Sequence, residues 1–446
     1  MQAMAVYRLW QRLWGERRNK LWVQPALNSI IAVLLALMAA WVPRLLPGID
    51  FPVVSAKTLD NLLTVIASSM LAVATFSLSI MVSAFASASS GATPRATELV
   101  MGDEGTRAAI SNFLSAFMFS IVAQVALGLK YYGDNGRFIL FVGTLIVLAW
   151  LMLTLLRWVR TLSSLGRLNN TLIRVEAAAL ACMTQFWINP FMGAARGVRD
   201  VDALSQQATS IVVRAADVRM VRRVDMAKLQ TIAKEHDCII HIRVRPGELV
   251  SYDDVIAIAA FDSPNRQQQR AGESISDRGN IARAILQCFQ FDQERTFDQD
   301  PRFGLIVLRE AAQRALSAAI NDPGTAITCL NIMLRVLLRG QELAREHLQG
   351  RATQEVYDRL TVVELCVEDF IADGFDPIAR DGAGTFEIVV RMQKLLATLT
   401  QQSPDADLAQ AARKHAAFAC QCAMQSLNYE DDKMFVQRLN HRLFGR

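Results

Sequence analysis

Residues 62–93 read LLTVIASSMLAVATFSLSIMVSAFASASSGAT, and every polar side chain among them is a hydroxyl. Thr64, Ser68, Thr75, Ser79, Ser83 and Ser87 recur mostly four apart with Ala72 in the gap, so on a helix they form one slowly drifting stripe. Hydroxyl oxygens can replace part of an ion's hydration without the deep trap that a carboxylate makes. Ser68, Thr75, Ser79, Ser83 and Ser87 are therefore the candidate lining of a path, and Phe76, Met81 and Phe85 the candidates for an apolar constriction. The same stripe also suits helix packing, where small residues let backbones approach and hydroxyls satisfy one another.

A second group with usable chemistry lies far downstream. Asp298 and Asp300, in DQERTFDQD, and Asn321 and Asp322, in AINDPGTA, carry the carboxylate and amide oxygens that hard cations favour. The pairs Asp300-Pro301 and Asp322-Pro323 also fit helix starts, where the aspartate accepts exposed amides and proline wastes no donor. The four residues are thus ligand or structural-cap candidates, with no metal and no cofactor assigned. His236, Cys238 and His241 have metal-ligand chemistry, but Cys238 and His241 point to opposite faces of one expected strand. His415 and Cys422 can share a helix face and are read as core. The sequence contains no phosphate-binding glycine loop, nucleophile elbow or paired metalloprotease histidines, so it is not read as an enzyme.

These residues sit in two halves of different character. The chain of 446 residues is 52% hydrophobic with 20% charged residues and a mean hydropathy of +0.22. Apolar character is concentrated before Arg157, and nearly all acidic residues follow it. The excess of five positive charges is modest. Its basic residues cluster beside apolar runs as topology signals, which argues against nucleic-acid binding. All seven cysteines fall in the polar half without framework spacing, as expected of reduced thiols in a cytosolic compartment.

Residues 1–22 form an amphipathic interfacial segment, with Val6, Leu9, Trp10, Leu13 and Trp14 at helical spacing and Arg8 and Arg12 on another face. Four transmembrane helices are expected at about 23–42, 62–88, 110–129 and 138–156. The first is longer than a secretory h-region and reads as an uncleaved signal-anchor. Pro43, Pro47 and Pro52 break the chain after it, and Gly133-Asp134-Asn135-Gly136 turns between the last two. Arginines 8, 12, 17, 18, 95, 107, 157, 160, 167 and 174 with Lys20 lie on one side, against Arg44, Lys57, Lys130 and Arg137 on the other. Both termini are therefore expected in the cytoplasm. Trp22, Trp41, Tyr131, Tyr132 and Trp158 stand at span ends, where amphipathic rings favour the interface. The apolar centres lack Asp, Glu, Lys and Arg, which argues against proton-coupled carriers and voltage sensors; the notable polar residues are Asn112, near one end of the third span, and Gln124 within it.

Beyond a helical connector at 159–215, residues 216–262 form a small β-containing module, with strands at 218–224, 238–244 and 255–261 and a helix at 226–236. Residues 278–446 read as a helical domain. In it, helices after Asp300-Pro301 and Asp322-Pro323 make a hairpin, and further helices are expected at 354–372, 387–400, 405–428 and 431–443. The fold class is an α-helical membrane protein with four transmembrane helices and a C-terminal, mostly helical cytosolic α+β domain carrying a small β module.

FASASSGATPRATELV after the second span, RVRPGELVSYDDVIAIA in the β module, RTFDQDPRFGL and ALSAAINDPGTA together resemble a bacterial family of predicted membrane proteins known as a domain of unknown function, the two-two-five-four family. The likeness covers most of the chain, with AINDPGTA its most specific part, and this chain has Gly91-Ala92 where a bulky residue is expected after the paired serines. The resemblance implies a multi-pass inner-membrane protein and no particular reaction. The expected function is a passive ion channel or pore, formed by a homo-oligomer in the lipid bilayer and regulated through its cytosolic domain by a protein or small molecule. The alternative is a membrane-anchored sensor or scaffold without transport.

Overall fold

The computed structural model describes residues 23–39, 41, 52–96, 99, 104–162, 167–197, 210–261, 275–349 and 356–445. The interfacial segment expected at 1–22, and Pro43 and Pro47, lie outside the described residues. The chain forms two compact units, residues up to Thr171 and residues from Leu172 onward.

The first unit contains helices α1 (Val23–Met38), α2 (Ala56–Gly91), α3 (Glu104–Gly128) and α4 (Asp134–Leu162). Hydrocarbon offers backbone amides no partners, so unbroken helices are the economical way to cross it. Among the described residues three stretches are long and apolar enough to do so, Ala56–Ser87, Gly105–Gly128 and Asp134–Leu162, and Pro25–Met38 is a shorter apolar helix. The α3 helix is central because its small residues Ala109, Ala116, Ala123 and Ala126 are buried and let neighbours approach closely. Near its start Ser111 receives the Asn28 amide at 3.4 Å. Just beyond its end Tyr132 donates its hydroxyl to the Ala36 carbonyl at 2.8 Å. The α1 and α3 helices therefore run parallel. Gln124, near the C-terminal end of α3, donates to Thr64 Oγ1 at 2.5 Å and to the Asp60 carbonyl at 3.4 Å, both near the start of α2. The α2 helix is thus antiparallel to α3. Leu59, Leu63, Phe119, Ala123, Tyr132 and Leu140 pack one end, and Ile66, Ala74, Phe113, Leu151 and Trp158 the other.

The aromatic residues at helix ends divide into two kinds. Trp41 and Tyr131 are exposed and joined by an indole-to-hydroxyl hydrogen bond of 3.0 Å. Tyr132 and Trp158, also at helix ends, are buried within the protomer. Trp158 takes Phe76 and Phe113 edge-to-face at 6.3 and 6.2 Å, so its ring packs against protein.

The second unit begins within α5 (Leu168–Ile188) and continues β1 (Ala194–Arg196), β2 (Ile211–Arg214), β3 (Arg219–Val224), α6 (Met226–Glu235), β4 (Ile239–Ile242), β5 (Leu249–Val250), β6 (Val255–Ala260), α7 (Ile275–Leu286) and β7 (Phe289–Asp292). Then follow α8 (Phe303–Leu316), α9 (Pro323–Leu348), β8 (Tyr357–Val362), α10 (Glu368–Gly374), α11 (Asp376–Asp381), α12 (Phe386–Gln402), α13 (Ala406–Ser426) and α14 (Glu430–Phe444). One sheet has the order β1-β8-β4-β6-β2 and the other β5-β3-β7. The strands are drawn from a wider span of sequence than 216–262: β1 and β2 lie in the stretch expected as a helical connector, β7 and β8 in that expected as a helical domain. In particular, the helix expected over 354–372 is replaced by β8 and the short α10. The β8 strand lies parallel between β1 and β4, partners 160 or so and 120 or so residues earlier in the chain, and its alternating burial fits a sheet face.

The expected hairpin forms from α8 and α9. Gly304 faces Ala179 and Gly340 faces Met183 of α5, each so closely that a Cβ would collide. A bidentate pair from Arg335 to Glu176, at 2.6 and 2.8 Å, adds to the same junction. All seven cysteines are unbridged; Cys182, Cys238, Cys288 and Cys329 are buried and Cys366 is exposed.

Candidate functional site

The hydroxyl stripe occupies the exposed side of α2. Thr64, Ser68, Thr75, Ser79, Ser83 and Ser87 are all exposed on the protomer, while Leu63, Ile66, Ala67, Ala74, Ser77 and Ala84, on the opposite side of the helix, are buried. Within one protomer, then, most of the stripe lies off the packing face, although at its start Thr64 accepts from Gln124 of α3. Ser77, which is outside it, is the buried serine. Stripe hydroxyls donate to their own helix: Thr64 to Asp60 O at 2.8 Å, Ser68 to Thr64 O at 2.9 Å and Thr75 to Leu71 O at 3.0 Å. Such back-bonding satisfies a hydroxyl locally.

The three constriction candidates separate. Phe76 borders the stripe and is 59% exposed. Met81 follows the buried Ser77 by one turn and so belongs to the packed side rather than the stripe, and Phe85, like Met81, is partly buried.

The downstream candidates also separate. Asp298 is exposed, whereas Asp300 is 2% exposed. Asp300 Oδ2 accepts from Arg295 Nε at 2.6 Å, and Oδ1 accepts from the Arg302 backbone amide at 3.1 Å. Burial pushes its carboxyl above the ordinary value of 3.8, with Arg295 and Arg302 pulling the other way. Asn321 and Asp322 stand at the far end of α8, about 20 Å away at ~1.5 Å per residue. Asn321 takes a left-handed backbone, φ 48°. Asp322 caps α9, accepting from Thr325 N at 3.0 Å and from its hydroxyl at 2.6 Å. The structure therefore does not bring the two acidic groups together, and no cluster of three or more His, Cys, Asp or Glu suited to a metal ion occurs among the described residues. His241 meets the Thr361 hydroxyl at 2.8 Å, and Cys238 is buried.

What surrounds Asp300 was not legible in the sequence. The turn Arg245-Pro246-Gly247-Glu248 lies directly against it: Gly247 has φ 91°, and a Cβ there would strike the Asp300 carboxylate and Arg295. Arg245, 4% exposed, donates to Val363 O at 2.9 Å and Pro190 O at 2.7 Å and lies over the Phe186 ring. Burial lowers its pKa to about 10, opposed by Glu248, Asp300 and Glu364. Burial likewise raises that of Glu248. Arg302 pairs with Asp373 at 2.6 Å and Asp369 at 3.0 Å, carrying the network into α10. The result is a buried ionic knot whose carboxylates are already held by guanidinium groups and amides. Its one sequence signal is the Pro-Gly turn directly flanked by opposite charges.

Residues 18–398 match the family described as Predicted membrane protein (DUF2254). The chain belongs to that family. No curated protein and no solved structure matches it. Of the segments that carried the resemblance, RPGE and RTFDQDP are the two that meet in the knot, and AINDPGTA is the α8–α9 connector. In this DUF2254 protein each of these segments therefore has a local physical role: close approach at Gly247, charge satisfaction at Asp300, and a left-handed turn into a capped helix at Asn321-Asp322.

Proposed function

We propose that the protein is one subunit of a homo-oligomeric passive channel or pore in the bacterial inner membrane, regulated by its C-terminal unit. In this reading α1 is a fourth span beside α3, both termini and the C-terminal unit are cytoplasmic by the lysine and arginine distribution, and a cytosolic protein or small molecule acts on that unit. The observation that carries the proposal is the exposure of Ser68, Thr75, Ser79, Ser83 and Ser87 on the side of α2 that the protomer does not use. A path lined by them forms only between copies, with Phe76 at its border as the constriction. Hydroxyls and helix carbonyls would meet a passing ion without a charged trap.

A second reading has its own support. Because Thr64, Ser68 and Thr75 are already hydrogen-bonded to their own helix, the stripe also tolerates lipid or a dry helix contact. The spans would then anchor a sensor or scaffold. Purified protein in liposomes separates the two: a pore gives conductance that falls at least tenfold in Ser79→Leu or Ser83→Leu. Normal flux in both variants removes these residues from the lining. Absence of flux from the unaltered protein, together with a specific soluble partner of the C-terminal unit, favours the scaffold.

A further inference from the structure

A cavity of about 180 Å³ opens between α1, α3 and α4, on a different part of the membrane unit from the hydroxyl stripe. Two parallel helices contribute to it with the same spacing: Asn28, Ile31, Ala32 and Leu35 from α1, and Asn112, Ser115, Ala116 and Phe119 from α3. Both asparagines consequently lie at one end, both alanines in the middle, and Leu35 and Phe119 at the other end. Val147 and Trp150 of α4 add to the wall. The alanines explain the space, since larger side chains at 32 and 116 would fill it.

The polar end retains unused hydrogen-bonding capacity. Asn28 spends its amide nitrogen on Ser111 Oγ, and Ser115 donates to the Ser111 carbonyl at 2.7 Å. The Asn112 side chain makes no hydrogen bond to a described residue. Asn112 is only partly buried, so its amide is open to a ligand that brings a carbonyl or hydroxyl. No charged side chain lines the cavity, which argues against an ionic ligand. Ile31, Leu35 and Trp150 are exposed at the rim, so entry is from the bilayer side. In volume the cavity is slightly larger than the roughly 150 Å³ apolar cavity that takes up benzene.

We infer that this cavity binds a neutral, bilayer-dissolved amphiphile, a single ring or short chain bearing a carbonyl or hydroxyl, with its polar atom on Asn112 and its apolar part toward Leu35 and Phe119.

The test uses the full-length protein in nanodiscs with two probes, tetramethyl-1,4-benzoquinone and 1-hexanol. The quinone should quench tryptophan fluorescence with a saturable component that hexanol displaces, and Trp150→Phe should remove that component. Asn112→Leu should weaken the saturable binding at least fivefold. Ala116→Leu should abolish it, and Ala32→Leu, on the other helix, provides an independent filling should the first variant fold poorly. Saturation by the quinone without displacement by hexanol narrows the ligand to a ring carbonyl. Quenching that rises linearly in the unaltered protein, as from partition into lipid, overturns the proposal. So does saturable quenching that persists unchanged in a folded Ala32→Leu or Ala116→Leu variant.

Discussion

Polar groups along α2 and those buried in the C-terminal unit are satisfied in opposite ways. Along α2, hydroxyls of Ser68 and Thr75 reach one turn back to carbonyls of their own helix. In the C-terminal unit, Arg245 reaches Pro190 and Val363, Arg302 reaches Asp373, and Gln393 reaches the Ala416 carbonyl while receiving Asn440. A group satisfied inside its own helix exerts no hold on its neighbours, which leaves its face available. One satisfied by a distant segment fixes that segment's position. Lipid favours the first arrangement because nothing else there supplies a partner. Asn28, Gln124 and Tyr132 are instructive exceptions in the membrane unit, tying α3 and its end to α1 and α2.

The sharpest way to break this contrast is to remove a partner from the buried knot. Asp300→Ala leaves Arg295 facing an emptied site and should cost about 3–5 kcal/mol, read as a lower thermal unfolding midpoint of the full chain in detergent; a change under ~1 kcal/mol would mean that the knot holds little. Asp322→Ala removes a cap rather than a buried pair, and the same measurement should register about 1 kcal/mol. A smaller, graded effect belongs to His415. Its Nδ1 meets Asp376 at 2.7 Å and its Nε2 meets Glu368 at 3.2 Å, while neighbouring Lys414 also reaches Glu368 at 2.6 Å. The Asp376 hydrogen bond leads in raising its pKa above the ordinary 6.5, against burial. Its contribution is therefore full below that value and lost as pH rises through the native one. His415→Gln should flatten this decline in stability, and an unchanged slope would show that the imidazolium contributes nothing. Least of all, Ser79→Ala on the exposed stripe should move the midpoint by no more than about 0.5 kcal/mol. A loss comparable to Asp300→Ala would show that the stripe already has structural partners.

Local signals were readable and long-range ones were not. The α8–α9 hairpin announced itself through Asp-Pro starts and apolar spacing, and the stripe through its four-residue repeat. Which way the stripe points depends on the face of α2 that α3 covers, a property of Ala109, Ala116 and Ala123 rather than of the stripe. The β8 strand exists because β1 and β4 flank it, so YDRLTV alone, in a helix-rich region, gives no reason to expect it. Trp158 has the composition of an interfacial residue and is buried by Phe76 and Phe113. The charge knot needs five segments to converge, and only its Pro-Gly turn leaves a mark in sequence.

The distribution of thiols has an experimental use. Every native cysteine belongs to the C-terminal unit, where four are buried and Cys366 is the exposed one. With Cys366 and the partly exposed Cys420 and Cys422 replaced by serine, a thiol engineered at Ser79 or Ser83 would meet little competition from native sites for a water-soluble maleimide. Labelling rates position by position along α2 would then report directly whether the stripe sees water or fatty chains.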